Sequence, residues 1–447
     1  MLLSKSKYVR GTNCPKSLWL YVHKKDQQVI SDSSQIVFIR GTDVGILAQD
    51  YFPNGVIAVQ EDYPCAESAK RTKAFIEQGI ETIYEATFIY DNVLVAVDIL
   101  HKENGKWSIY EVKSTNSTKP QHIIDVVVQY YVVSGCGIDV DKTYLMHFNR
   151  DYVRRGDINV NELFIADNIL HEVTQLQMEV KENIPTLLRM LEGQEPTVEM
   201  GSYCHDPYEC DYQEYCMSFL PKDEPVELSK LPVINEAEVK RFVNSIEYPV
   251  CHLDFETVRP GVPLFNESRP YQQIPFQYSL HIQETKGGEI VHKEYLAPSD
   301  LNIDPRLGLI QSMILETRNA KTIFVYYIAF ERTRINELMR DFPEFEKELQ
   351  SINDKLMDLI IPFRKKFYRT ETMEGSSSIK KVLPALSPDL SYDVLEIGNG
   401  MNASNAFLDL YFSSDEKYIN EVRQHLLKYC HLDTFAMVRI LEVLEKV

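Results

Sequence analysis

The chain has 447 residues, 44% hydrophobic and 25% charged, a composition that excludes a disordered chain and is sufficient for two or three domains. No apolar run reaches the ~18 residues of a membrane-spanning helix, so we expect no membrane partner. The formal net charge is −19, yet the first 25 residues hold six basic side chains and no carboxylate. The charge therefore neither supports nor excludes a nucleic-acid substrate.

The N-terminal sequence MLLSKSKYVRG lacks the long apolar segment of a secretory signal, so a cytoplasmic location is expected. The chain has eight cysteines, and in a reducing compartment these are expected to be free thiols, metal ligands or catalytic groups, not a disulfide framework. Cys204, Cys210 and Cys216 are evenly spaced in an aromatic-rich segment. That spacing raises the question of a bound metal.

One break in composition divides the chain. Residues 220–240, LPKDEPVELSKLPVINEAEVK, carry three prolines and many charges, which is typical of a linker. We therefore predict a first domain over residues 1–220, a linker over 221–246 and a second domain over 247–447.

In the first domain, runs rich in β-branched and aromatic residues predict strands at 82–90, 93–100 and 107–114. The following run, residues 120–137, has the length of a helix and contains two glycines near its end. The order strand, strand, strand, helix predicts an α/β core.

Three charged side chains lie on these strands. Asp98 is predicted at the end of one strand, and Glu111 and Lys113, two residues apart, share one face of the next. Two carboxylates can bind Mg²⁺ or Mn²⁺ through oxygen, and a nearby lysine can orient the attacking water. On the pattern alone, an exposed hairpin with a surface ion pair is an equally good interpretation.

The combined stretch VAVDIL…YEVKS…DVVVQYY resembles the PD-(D/E)XK nuclease superfamily, in its RecB-like and Cas4-like branch. The resemblance implies that Asp98, Glu111 and Lys113 form the catalytic metal-binding triad, and that Gln129 is the glutamine of the branch's Q-x-x-x-Y motif. It also implies a restriction-endonuclease-like core.

Two departures from that branch accompany the resemblance, and one further acid lies on a neighbouring strand. The tyrosine position of the motif is Val133, for which Tyr130 or Tyr131 could substitute. The metal-binding histidine of many members is absent, and Gln49 occupies the comparable segment. Glu85 is a further acid that could contribute to the site or could be a structural strand residue.

Members of the same branch carry an iron–sulfur cluster bound by one early and three late cysteines. By this resemblance, Cys14, Cys204, Cys210 and Cys216 would bind a 4Fe–4S cluster that closes the domain. Zinc also takes four cysteines, but the short C-x-x-C pairs typical of zinc sites do not occur, which favours iron–sulfur.

In the second domain, residues 248–257 and 321–330 are predicted as buried strands, and 416–446 as one or two helices. Acids lie on all three segments: Asp254 and Glu256 share a strand face, Glu331 follows the second strand, and Asp433 lies on the C-terminal helix, four residues after Tyr429. Two acids on one face of an apolar strand are costly unless they bind a metal.

In this order the three segments resemble the DEDD 3′–5′ exonucleases of the RNase H-like fold, with a mixed sheet and flanking helices. Asp254 and Glu256 would form the first motif, and Asp433 the third. Tyr429 would orient the attacking water. Glu331 would stand at the aspartate of the second motif, with Asp358 as an alternative carboxylate.

Two neighbouring features qualify this resemblance. Tyr327 stands where the second motif has asparagine. Lys380 and Lys381, after a Ser-rich helix start, could hold a phosphate or belong to an ordinary capped helix.

Together the halves resemble bacterial proteins with a DUF2779-type C-terminal domain, in which a Cas4-like nuclease is fused to a DEDD-type domain. The expected function is metal-dependent hydrolysis of phosphodiester bonds in DNA processing, repair or defence. The expected partner is nucleic acid, with DNA favoured, single-stranded or at its ends. The alternatives are a nucleic-acid-binding or defence-complex scaffold with one or both sites degenerate, and an RNA exonuclease.

Overall fold

The structure is a computed structural model that describes residues 2–29, 44–206, 209–219, 232–392 and 395–447. The chain divides into two compact units. Unit 1 comprises residues 1–222 with 261–263 and 269–271, and unit 2 comprises residues 223–260, 264–268 and 272–447. Both units are mixed α/β. In the described ranges, no helix is long and apolar enough to cross a membrane.

Unit 1 is built on a seven-stranded mixed sheet, in the order β2-β3-β4-β5-β6-β7 with β1 beside β4. Strands β3, β4 and β5 form an antiparallel meander, and β6 lies parallel to β5. The strands β1 to β7 span Leu3–Ser4, Val56–Ile57, Thr82–Tyr90, Val93–Glu103, Lys106–Lys113, Val140–Phe148 and Phe164–Asn168. The three strands predicted before the linker are thus confirmed.

Helices of unit 1 cover this sheet and its ends. Residues 44–49 are helical, and short 3₁₀ turns occupy Lys25–Gln27 and Ser202–Cys204. Helices α1 to α8 span Lys5–Asn13, Pro15–His23, Ala66–Glu77, Pro120–Gly135, Val160–Leu163, Leu170–Gln175, Gln177–Glu192 and Gln213–Met217. The predicted helix after the third strand is α4, and its buried valines pack in the core of the unit.

Unit 2 is built on a five-stranded sheet in the order β11-β10-β9-β12-β13. Strands β9, β10 and β11 are antiparallel neighbours, whereas β12 lies parallel to β9 and β13 parallel to β12. A two-stranded sheet pairs β14 with β8. Strands β8 to β14 span Val233–Ile234, Val250–Val258, Ile274–Gln283, Ile290–Leu296, Thr322–Val325, Leu356–Asp358 and Tyr368–Arg369.

Helices pack on both sides of that sheet. Helices α9 to α16 span Glu236–Asn244, Pro305–Thr317, Ile328–Asp341, Glu346–Asp354, Ile361–Arg364, Ile379–Leu386, Gly400–Leu410 and Glu416–Leu444. Short 3₁₀ turns occupy Pro343–Phe345 and Glu371–Met373. The C-terminal segment, predicted as one or two helices, is the single helix α16 of 29 residues.

Part of the predicted linker is folded. Helix α9 begins at an Asn235 cap and buries Val239 and Phe242, so this part belongs to unit 2. Its apolar residues at helical spacing outweigh the charges that favoured a linker. Residues 221–231 of the predicted linker lie outside the described residues.

The predicted strand at 321–330 is wrong in its second half. Strand β12 ends at Val325, and α11 begins at Ile328 after Tyr327, whose φ of +85° turns the chain. Glu331 therefore lies in the first turn of a helix and not at the end of a strand. Asp358 fixes this turn, because its Oδ1 accepts the N–H of Tyr327 at 3.1 Å.

Candidate metal centres

The first predicted triad lies on the central strands of unit 1. Asp98 is in the middle of β4, not at a strand end as predicted, because β4 continues to Glu103. Its Oδ2 accepts the N–H of Val112 at 2.6 Å, which places the carboxylate between Glu111 and Lys113 of β5. The register of the two strands sets these residues side by side.

Glu111 is the hub of this group, with 2% of its surface exposed. Its Oε1 accepts from Lys113 Nζ at 2.7 Å and from Lys5 Nζ at 2.6 Å, and its Oε2 accepts from Gln129 Nε2 at 2.6 Å. Lys113 also donates to Asp125, and Gln129 to the Ala96 carbonyl oxygen. The structure thus brings Glu111, Lys113 and Gln129 together.

The acids of this group differ in their electrostatic state. Burial raises the pKa of Asp98 to about 8, helped by the charge of Glu111. Burial would also raise the pKa of Glu111, but Lys113 and Lys5 overcome it and lower that pKa to about 2. Glu85 lies in a distorted step of β3, between the residues paired with Ile99 and Val97, and burial raises its pKa. Glu85 is therefore a neighbour of Asp98.

Other residues named for this site lie elsewhere. Val133 is buried in the core, and Tyr131 donates to Asp91 at 3.0 Å. The Gln49 carbonyl oxygen accepts from the Tyr84 hydroxyl at 3.3 Å. Lys5 was not predicted as a site residue. Its only signal is its place among the N-terminal basic residues, since the contact spans 106 positions.

The cysteines predicted to bind a cluster come together in unit 1. Cys14 caps α2, its Sγ accepting the N–H of Ser17 at 3.4 Å, and Cys210 Sγ lies 3.8 Å from Ser17 Oγ. Burial raises the pKa of Cys14, and the nearby Cys210 and Cys204 raise it further. Burial likewise raises the pKa of Cys216, with all three other thiols contributing.

An ion pair fixes this cysteine region. Arg10 of α1 donates to both carboxylate oxygens of Asp211, at 2.7 and 2.9 Å. Among the described side chains, no three of these sulfur atoms lie within 4.8 Å of one another. A single zinc ion with Zn–S bonds of ~2.3 Å would hold them ~3.8 Å apart. The thiols are therefore neighbours with more space between them than one zinc ion requires.

The second group of acids lies in unit 2. Asp254 and Glu256 point from β9 to the sheet face that α16 covers, and ligand atoms of Asp254, Glu256 and Cys430 all lie within 4.8 Å of one another. Asp433 of α16 is buried and accepts from the Tyr392 hydroxyl at 2.6 Å. Tyr429 is buried on the same helix.

These carboxylates repel one another. Burial raises the pKa of Asp254 well above its ordinary value, and Asp433, Glu256 and Glu331 raise it further. Burial and Asp433 likewise raise the pKa of Glu256, although Lys380 opposes the shift. Burial raises the pKa of Asp433 to about 6, although the Tyr392 hydrogen bond opposes it. Such a group is stable as anions only beside a cation.

Glu331, rather than Asp358, acts on the strand acids. Glu331 is buried and raises the pKa of Asp254 and Glu256. One carboxylate oxygen of each acid, Glu331 Oε2 and Asp358 Oδ2, has no hydrogen-bond partner among the described residues. Asp358 binds the backbone N–H groups of Tyr327 and Ile360 through Oδ1. Asp358 therefore holds a turn, whereas Glu331 is the acid whose charge acts on Asp254 and Glu256.

Further residues border this group. Tyr392 and Cys430 were not predicted as site residues, and nothing in the local pattern distinguishes them from core residues. Lys380 lies 5.5 Å from the centre of the Tyr392 ring and lines a cavity of 340 Å³ with that tyrosine. A Cβ on Gly400 would lie 3.6 Å from Glu256 Oε2, so the first turn of α15 also borders the acids.

The fold and these two groups define a mixed α/β chain with a carboxylate cluster in each unit. Residues 251–378 match a family described as "Domain of unknown function (DUF2779)". The matched segment includes Asp254, Glu256 and Glu331 and ends before Asp433.

Two curated relatives of this chain come from Mycoplasma species. The chain is 27% identical over 216 residues to "Uncharacterized protein MG366" of Mycoplasma genitalium, which covers 44% of this chain and 32% of that protein. It is 26% identical over 205 residues to "Uncharacterized protein MG366 homolog" of Mycoplasma pneumoniae, covering 42% of this chain and 31% of that protein. The chain therefore spans about a third of the length of these relatives.

Proposed function

We propose that this protein is a metal-dependent nuclease that hydrolyses phosphodiester bonds. The observation that carries the proposal is the group formed by the half-buried Asp254 and the buried Glu256, Glu331 and Asp433, in which desolvation raises each pKa. Divalent cations bound by carboxylate oxygens would relieve this repulsion. The three antiparallel and two parallel strands of unit 2 are compatible with an RNase H-like core.

In unit 2, Asp254, Glu256 and Asp433 would hold Mg²⁺ or Mn²⁺, with Glu331 as a further ligand. The bound ions would activate water and stabilise the leaving oxygen. Tyr392 orients Asp433 through its hydrogen bond, and Tyr429 would orient the attacking water. Lys380 is exposed at the neighbouring cavity, where its charge would attract the phosphate backbone.

In unit 1, Asp98 and Glu111 would hold the metal of a PD-(D/E)XK-type site. Lys113 and Gln129 hold the Glu111 carboxylate in position. Lys5 occupies the same carboxylate oxygen at 2.6 Å, so it would have to leave Glu111 for a metal to bind there. We therefore propose Asp254 and its neighbours as the principal active site.

Cys14, Cys204, Cys210 and Cys216 would bind a 4Fe–4S cluster. Their mutual proximity supports one bound group shared by all four thiols. The cluster would connect α1 and α2 to the cysteine segment, a connection that Arg10 and Asp211 already make. Iron with little zinc in anaerobically purified protein is the expected elemental analysis, and zinc without iron would reject the cluster.

The nuclease assay uses labelled single- and double-stranded DNA and RNA with Mg²⁺ or Mn²⁺. We expect wild-type protein to degrade DNA, Asp433→Ala to remove the 3′-terminal release of nucleotides, and Asp98→Ala to remove any residual cleavage. Release from RNA alone would replace the DNA assignment with an RNA exonuclease. An absence of cleavage on every substrate would reject the proposal.

A second candidate is a nucleic-acid-binding scaffold. The pairing of Lys5 with Glu111 favours it for unit 1, because the chain itself supplies the positive charge that a metal would otherwise supply. If unit 1 is a scaffold, wild type and Asp98→Ala should bind the labelled strands with equal affinity. Once Asp433→Ala has removed the unit 2 site, no cleavage should remain, whether Asp98 is present or replaced.

A further inference from the structure

Three histidines from separate elements meet in unit 2. His281 lies on β10, His292 on β11 and His431 on α16. One nitrogen of each ring lies within 4.8 Å of the others. The ring centres are 4.5 to 4.8 Å apart.

The register of the sheet explains why the three histidine side chains lie close together. His281 and His292 are directly opposite each other on neighbouring antiparallel strands, so their side chains share one face. Helix α16 packs over that face, where Thr434 bonds Ser279 at 2.7 Å. His431, three residues before Thr434, therefore projects to the same place.

Hydrogen bonds fix the orientation of two of the three imidazole rings. His281 Nδ1 pairs with Thr434 Oγ1 at 2.9 Å, which holds that ring in place. His292 Nε2 pairs with Ser279 Oγ at 2.9 Å, which holds the second ring in place. Such partners on the second nitrogen fix the orientation of metal-binding histidines.

The rings are also in the protonation state that a metal requires. Burial lowers the pKa of His281 to about 3, with the other imidazoles contributing. Burial, with His431, lowers the pKa of His292 to about 4. Neutral imidazole presents a lone pair, whereas the protonated ring does not.

We infer that His281, His292 and His431 form a binding site for one divalent transition-metal ion of the zinc class. Zn–N bonds of ~2.0–2.1 Å would hold the nitrogens ~3.4 Å apart, so small rotations of the half-exposed His292 and His431 would close the site. Glu294, whose Oε2 lies 3.9 Å from His292 Nε2, stands beside it as a further oxygen donor.

The donor types separate this site from the neighbouring acids. Carboxylate oxygens select Mg²⁺ or Mn²⁺, whereas three imidazoles select zinc-like ions. The inferred ion would tie α16 to β10 and β11, and so would hold the helix that carries Tyr429 and Asp433. The inference does not rest on nuclease activity.

Zinc binding to the full chain tests the site. Metal-stripped wild type, His431→Asn and His292→Asn are dialysed against buffered zinc, and bound zinc is counted by elemental analysis. We expect each variant to bind one equivalent less than wild type, with that binding weakened at least about 100-fold. His425→Asn, on the same helix but outside the cluster, is the matched control and should bind as wild type does.

Two further measurements sharpen the outcome. Zinc should raise the midpoint of thermal unfolding of wild type and His425→Asn more than that of His431→Asn or His292→Asn. A ligand stabilises the folded state only when it binds there, and only the first two proteins keep all three histidines. Thr434→Val, which removes the partner of His281, should weaken the same equivalent about 10- to 100-fold. Equal zinc content and affinity in wild type and both histidine variants would overturn the inference.

Discussion

The carboxylate groups of unit 1 and unit 2 differ in how their negative charge is balanced. In unit 1, Glu111 is neutralised within the chain, by Lys5 and Lys113 at 2.6 and 2.7 Å. In unit 2, Asp254 and Glu256 face Asp433, and among the described residues Lys380 is the cation that lowers the pKa of Glu256. One group supplies its own counter-charge, and the other lacks most of it.

The difference teaches where a metal is required. A carboxylate held by two ammonium groups stabilises the fold without a ligand, whereas mutually repelling buried carboxylates destabilise it until a cation binds. The same substitution, acid to amide, should therefore change stability in opposite directions in the two units. The predictions below use that contrast.

The largest effect is expected at Asp254. Asp254→Asn removes a metal ligand and should lower the release of 3′-terminal nucleotides on the order of 10³-fold, because metal-bound charge stabilisation is worth several kcal/mol. Metal-free stability should stay equal or rise, since one of several repelling acids is lost. Nuclease rates and thermal unfolding in EDTA measure the two effects.

Asp358→Asn is the control for that variant. Its Oδ1 would still accept the N–H of Tyr327, so the turn and the activity should be retained. If Asp358→Asn removed activity while Glu331→Gln did not, Asp358 would be the ligand and the placement of Glu331 would be wrong.

In unit 1 the expected effect is on stability. Glu111→Gln leaves Lys5 and Lys113 without their shared carboxylate and should destabilise the fold by about 3 kcal/mol. Denaturant unfolding measures it. The matched control is Glu67→Gln, at the exposed pair with Lys70, which should leave stability unchanged. If Glu111→Gln had the same free energy of unfolding as wild type, the proposed difference between the two carboxylate groups would be wrong.

The pH dependence of the free energy of unfolding should also differ between the acids of the two units. Burial raises the pKa of Glu331 to about 8, so the folded state holds this proton more tightly than the unfolded chain does. That contribution is complete below the unfolded value near 4.3 and is lost as pH rises towards 8. In EDTA, wild type should therefore lose more stability from pH 5 to 8 than Glu331→Gln does.

For Glu111 the sign is reversed. Its pKa of about 2 lies below the unfolded value, so its contribution is present at neutral pH and is lost only on strong acidification. Mg²⁺ should suppress the loss at high pH that Glu331 causes. Equal pH profiles for wild type and Glu331→Gln in EDTA would contradict the assignment of that loss to Glu331.

The smallest effect is expected at Tyr392. Tyr392→Phe removes the hydroxyl that donates to Asp433 at 2.6 Å and should lower activity about tenfold, the usual worth of a hydrogen bond to a charged group. Tyr411→Phe is the control, because the buried Tyr411 hydroxyl has no hydrogen-bond partner in the part of the chain that the structure describes. Equal rates for the two variants would remove Tyr392 from the site.

Local patterns were sufficient for much of the fold. Runs of β-branched and aromatic residues placed β3, β4 and β5, length and terminal glycines placed α4, and apolar residues at helical spacing placed α16. The same patterns placed Asp254 and Glu256 on one strand face. They failed at β12, where the apolar run continues from strand into helix and only the turn at Tyr327 separates the two.

The sequence by itself determined the α/β character of both halves and which strands and helices hold most of the acidic residues. Only the tertiary structure decided which charges meet, because Lys5 reaches Glu111 across 106 positions and Tyr392 reaches Asp433 across 41. It alone brought His281, His292 and His431 together, through a cross-strand pair and an overlying helix. Periodicity reports which face of an element is buried, whereas the partner across that face depends on how distant elements pack.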